Sequence, residues 1–198
     1  MKETKQRHIR DDASMVRKLV IVSLVIYAWL LVWIILLKMC DPFTVEQNYQ
    51  WLSTLTLKER FLFDIIPFYV RFNHLTQYIE FLLNCLIFAP FGVIFSFLFK
   101  KRNVLRDVII CFSVSLLLEL LQLFTMLGGF ATVDLITNTA GYFVGLALYE
   151  WFFKRRSMKF NEVFVIVMNV LFSGVVIYSV ITMINCWDLL ILILTRQY

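Results

Sequence analysis

Apolar positions fall into five long runs, at residues 19–37, 79–99, 108–127, 133–153 and 163–187, with short polar connectors between them. About 20 apolar residues carry a helix across the hydrocarbon core of a bilayer, so each run predicts one transmembrane α-helix. The first is interrupted only by Ser23 and carries Tyr27, Trp29 and Trp33; at 1.5 Å per residue it covers roughly 28 Å. The tail at 189–194 is too short to cross again. The pattern therefore predicts an all-α, polytopic membrane helical bundle of five transmembrane helices. It forms one domain, 19–198, after a basic tail at 1–18, with an outer loop at 38–78. Within that loop, residues 60–71 are apolar between charged ends and contain Pro67. Such a segment suits the outer interface, either as a lid or as an ordinary interfacial helix.

Orientation follows from the basic residues, which collect on the cytoplasmic side of helix ends. Lys2, Lys5, Arg7, Arg10, Arg17 and Lys18 precede the first run. Lys100, Lys101, Arg102 and Arg106 lie between the second and third, and Lys154, Arg155, Arg156 and Lys159 between the fourth and fifth. The opposite side keeps only Lys38, Lys58, Arg60, Arg71 and Arg196. The expectation is an amino terminus inside and a carboxyl terminus outside.

Composition agrees: 61% of 198 residues are apolar and 17% charged, with mean hydropathy +0.79. That excludes a water-soluble enzyme of ordinary composition. The net charge of +5 is accounted for by topology, and no nucleic-acid signature accompanies it. The first run ends in Lys38, Met39, Cys40 and Asp41 rather than in the small residues of a signal-peptide cleavage site, so it is expected to stay as a span. Cys85 and Cys111 fall inside runs as small packing residues, while a Cys40–Cys186 disulfide is geometrically open. No His or Cys spacing suggests a metal, and no cofactor motif is present.

Ionisable groups inside spans are costly and need a reason. Glu150 stands four residues before Lys154, an arrangement that pairs charges on a helix. Glu80, Glu119 and Asp134 differ. Glu80 is followed by Asn84, Glu119 by Gln122 and Asp134 by Asn138, so each helix presents a carboxylate and a carboxamide on one face. In the expected topology all six point to the outer half of the bilayer. Read as a ligand site, they offer strong acceptors together with amide donors, which suits headgroups, sugars or peptide amides. Read as structure, they hydrogen-bond one another and set helix packing. Pro90, with Gly92 behind it, predicts a kink that opens space beside Asn84, and Gly141 and Gly145 form a small-residue stripe for close helix approach. Asn169, Ser173 and Gly174 are expected as helix contacts in the fifth run.

The segments DIIPF (64–68), NCLIFAPFG (84–92), ELLQLF (119–124) and DLITNTAGYFVG (134–145) together resemble the VanZ-like family of small membrane proteins. Pro67, Asn84, Pro90, Gly92, Glu119, Gln122, Asp134, Asn138, Gly141 and Gly145 match that pattern, over about residues 64–149. The resemblance implies a multi-pass bacterial plasma-membrane protein whose family namesake is tied to resistance to the glycopeptide antibiotic teicoplanin. One departure lies just before the fourth run. There the family usually shows an Arg and further Asp residues, where this chain has Gly128, Gly129, Phe130, Ala131, Thr132 and Val133.

Three functions compete. The first is an envelope factor that binds an amphiphile from the outer leaflet, a lipid, a lipid-linked cell-wall precursor or a glycopeptide, through the six acid and amide residues. The second is a membrane-embedded enzyme on a lipid-linked substrate with one carboxylate as acid or base and His74 assisting; no nucleophile or metal motif supports it. The third is a proton- or cation-coupled transporter, for which five spans would need a homo-oligomer. Membrane lipids are expected partners and nucleic acid is not.

Overall fold

The computed structural model describes residues 2–37, 42–62, 75–99, 103–188, 191 and 195; these are helical or in short connectors, with no strand among them. Helix α1, Lys2–Leu31, continues into a π-helical turn, Val32–Leu36. Two short helices follow, α2 at Pro42–Ser53 and α3 at Leu57–Leu62. Then come α4 (Leu75–Leu98), α5 (Val104–Thr125), α6 (Thr132–Leu148) and α7 (Met158–Asn185). A second π-helical turn, Tyr149–Phe153, extends α6.

Among the described residues, four stretches are long and apolar enough to cross a membrane: Ser14–Leu36, Tyr78–Leu98, Val104–Thr125 and Met158–Asn185. The chain is thus an all-helical membrane protein. The run at 133–153 is helical too. Its α-helix has only 17 residues, about 26 Å, and it reaches the length of its neighbours only with the π turn. Helix α1 is continuous from the basic segment into the first apolar run, from Lys2 onward. Pro67 and the proposed lid lie mostly outside the described residues, as do Cys40, Arg71 and His74.

Packing follows the small residues. The most extensive interface joins α4 to α6; α1 packs on α4 and α7, and α5 packs on α6 and on the π turn that ends α1. Gly141 lies against the backbone of Cys85, Gly145 against the Ala89 carbonyl and Gly92 against the Tyr142 carbonyl, each too close to admit a Cβ without movement. Gly92 therefore serves close approach of α6, in a helix that continues through Pro90. Phe91 and Phe95 of α4 pack against the Tyr142 ring, and Tyr142 itself is fully buried.

Hydrogen bonds reveal helix direction. Between α1 and α7, Asn169 Nδ2 donates to the Leu19 carbonyl, Trp29 Nε1 to Ser179 Oγ and Trp33 Nε1 to Thr182 Oγ1. Partner numbers rise together, so the two helices run parallel. By the same reasoning α4 and α6 are parallel. Between α5 and α6 they change in opposite directions, so that pair is antiparallel. Ser173 and Gly174 do not join the α1 contact. Ser173 is exposed and no atom lies near Gly174, because α7 packs through the face that carries Val165, Asn169 and Ser179.

Candidate functional site

The buried face of α5 is written at positions i, i+4, i+7, i+8 and i+11: Cys111, Ser115, Leu118, Glu119 and Gln122. That spacing marks one side of a helix, and here the side faces α6 and the end of α1. Glu119, Gln122 and Asn138 are each no more than 2% exposed. Burial on this scale demands hydrogen-bond partners, and the partners come from other helices.

Glu119 Oε2 accepts from the backbone N–H of Ala131 at 2.9 Å. Ala131 stands where α6 begins and has no capping side chain of its own, so a carboxylate from α5 satisfies a donor that the helix start leaves open. Gln122 Nε2 donates to the Ile35 carbonyl at 2.7 Å. This carbonyl belongs to the π turn closing α1, where terminal carbonyls lack helical partners. Asn138 Nδ2 donates to Ser115 Oγ at 2.8 Å, while Asn138 Oδ1 is buried with no partner among the described residues. Asn84 Nδ2 donates to Asp134 Oδ1 at 2.9 Å, linking α4 to α6. Both members of that pair are half-buried, and Glu80, one turn before Asn84, is exposed.

The six residues thus divide. Asn84, Glu119, Gln122, Asp134 and Asn138 form a polar seam between helices at one end of the bundle. Glu80 stands at its edge without a bond to the others among the described residues. Among the described residues no acid bonds the amide of its own helix; Glu119 and Asp134 reach across to another element. Ser115 joins the seam as well, through Asn138. Its signal was available, since it lies four residues before Glu119 and seven before Gln122. The Ala131 N–H and Ile35 carbonyl carried no signal, being backbone groups of apolar residues. Among the described residues, no group of His, Cys, Asp and Glu is arranged to hold a metal ion.

At the other end of the bundle the ionic contacts are local. Glu150 pairs with Lys154 at 2.6 Å across one helical turn. Buried Asp107 pairs with Arg106 at 2.8 Å, and that guanidinium lies 4.3 Å from the Phe99 ring centroid.

A bundle of apolar helices stitched at one end by buried acids and amides defines a small helical membrane protein. The chain belongs to the VanZ/LLP1 family, whose sequence model matches residues 24–155. It is 31% identical over 136 residues to Protein VanZ of Enterococcus faecium, a match spanning 69% of this chain and 76% of that protein. No solved structure matches it. The family match begins within α1, well before the first of the four motifs. In the seam α1 contributes a carbonyl, which leaves no side-chain pattern to read.

Proposed function

We propose that this protein crosses the bacterial plasma membrane five times, amino terminus inside and carboxyl terminus outside. In this reading it binds an amphiphile from the outer leaflet and so contributes to glycopeptide resistance, with teicoplanin the expected antibiotic. The ligand classes are a lipid, a lipid-linked cell-wall precursor or the glycopeptide itself. Parallel α4 and α6 with antiparallel α5 between them support alternating crossings, and the distribution of Lys and Arg supports the orientation.

The observation that carries the binding role is the half-buried Asn84–Asp134 pair with Glu80 exposed beside it. These groups keep contact with the surroundings, whereas Glu119 and Gln122 are occupied in holding helix ends and the Asn138 amide is bonded across to Ser115, so these three act as positioning residues. A carboxylate offers two oxygens and about four acceptor sites, a chemistry suited to ligand hydroxyls or amides. Loss of a charged hydrogen bond costs about 1.5–3 kcal/mol, so Asp134→Asn is expected to weaken ligand binding by about tenfold or more. The test compares teicoplanin susceptibility of cells carrying no copy, the wild-type protein or Asp134→Asn, at matched membrane abundance. Susceptibility equal to that of cells without the protein is expected for the variant. Full wild-type protection at equal abundance would overturn the proposal.

A further inference from the structure

A separate groove opens between α1 and α7, away from the α4–α5–α6 seam. Its volume is about 470 Å³, and it is lined by Trp29, Val180, Met183, Ile184, Trp187 and Asp188. Volumes of this size accommodate small ligands or a lipid segment. Four features give it a chemical preference. Its wall is apolar over Val180, Met183 and Ile184. Two indoles stand in that wall. Trp29 is held in place because its N–H is committed to Ser179 Oγ at 2.8 Å, and Ser179 in turn donates to the Val176 carbonyl. The single charged group is the exposed carboxylate of Asp188, and no basic side chain lines the groove among the described residues.

The geometry points to a binding site for an amphiphile with an ammonium headgroup: an amine-headed lipid of the leaflet at this end of the bundle. Its chain lies along Val180, Met183 and Ile184, and its ammonium sits between the Asp188 carboxylate and the indole faces. A carboxylate attracts the cation, and indole is the strongest of the aromatic partners for one. A neutral headgroup gains neither interaction, and an anionic one is repelled. Because both groups lie near water, selectivity is modest, about fivefold over a neutral amphiphile of equal chain length.

The test uses the full chain in micelles of an alkyl maltoside, whose headgroup carries no cation, at neutral pH, titrated with brominated stearylamine or brominated stearyl alcohol. Bromine quenches indole fluorescence on contact. The amine is expected to quench at about fivefold lower mole fraction than the alcohol. Asp188→Asn removes that difference while leaving quenching by the alcohol intact, and Val180→Phe, which fills the groove, weakens both. Trp51 and Trp151 are exposed outside the groove and respond alike to either probe. Equal quenching by amine and alcohol in the wild type, or a difference that survives Asp188→Asn, would overturn the assignment. Neither substitution touches Asn84 or Asp134, so the outcome is independent of the resistance reading.

Discussion

At the scale of single residues, glycine separates most sharply by position. Gly141 and Gly145 face backbone atoms of α4, whereas nothing lies within 4 Å of a Cβ built on Gly174. Forcing a methyl into a closed helix contact costs about 1–3 kcal/mol; on an open helix face, replacing Gly by Ala gains up to about 1 kcal/mol of helix propensity. Gly145→Ala is therefore expected to lower the unfolding midpoint in detergent, and Gly174→Ala to leave it unchanged or raise it. Equal effects at the two positions would contradict the α4–α6 packing. Asn138 shows the limit of reading residues singly. Its spacing from Asp134 suggested a paired acid and amide, yet its amide bonds Ser115 of α5.

Elements show how local chemistry starts and stops each helix. Helix α3 begins with a capping box in which the Thr56 N–H and hydroxyl both donate to Glu59 Oε2 at 2.8 Å, and the Glu59 N–H donates back to Thr56 Oγ1 at 3.3 Å. Those bonds favour the ionised carboxylate and hold the Glu59 pKa below its usual range. Because the folded value lies below the unfolded one, the cap stabilises α3 fully above the ordinary carboxylate pKa. That contribution is lost as pH falls through the lower, folded value. Amide exchange at Thr56 should accordingly lose protection in acid beyond the intrinsic pH trend; protection that is constant, or that rises, would refute this. Helix α6 starts differently, borrowing Glu119 from α5. Its cap was therefore invisible in its own sequence, Ala131-Thr132-Val133.

For the molecule as a whole, the proposed topology joins the directions of helix packing to the distribution of charge. With α1 parallel to α7, α4 parallel to α6 and α5 antiparallel to α6, the proposed five-span topology and the distribution of Lys and Arg predict a carboxyl terminus outside and an amino terminus inside. In intact cells without their wall, an impermeant protease should remove a carboxyl-terminal tag and spare an amino-terminal one. Cleavage of the amino-terminal tag alone would reverse the orientation and move the seam to the cytoplasmic leaflet.

Much of this architecture was legible along the chain. Long apolar runs must become helices in lipid, because an unpaired backbone has no water there to satisfy it. The helical character of all five runs and the acid and amide residues of the seam therefore needed no partner to be recognised. Tertiary structure decided who bonds whom. Gln122 meets the Ile35 carbonyl and Glu119 meets the Ala131 N–H, contacts between distant segments that spacing on one helix cannot encode. It also decided that Gly92 serves close approach and that Ser173 and Gly174 face outward. These assignments depend on which helix lies alongside, and that choice is made by the packing of the whole bundle.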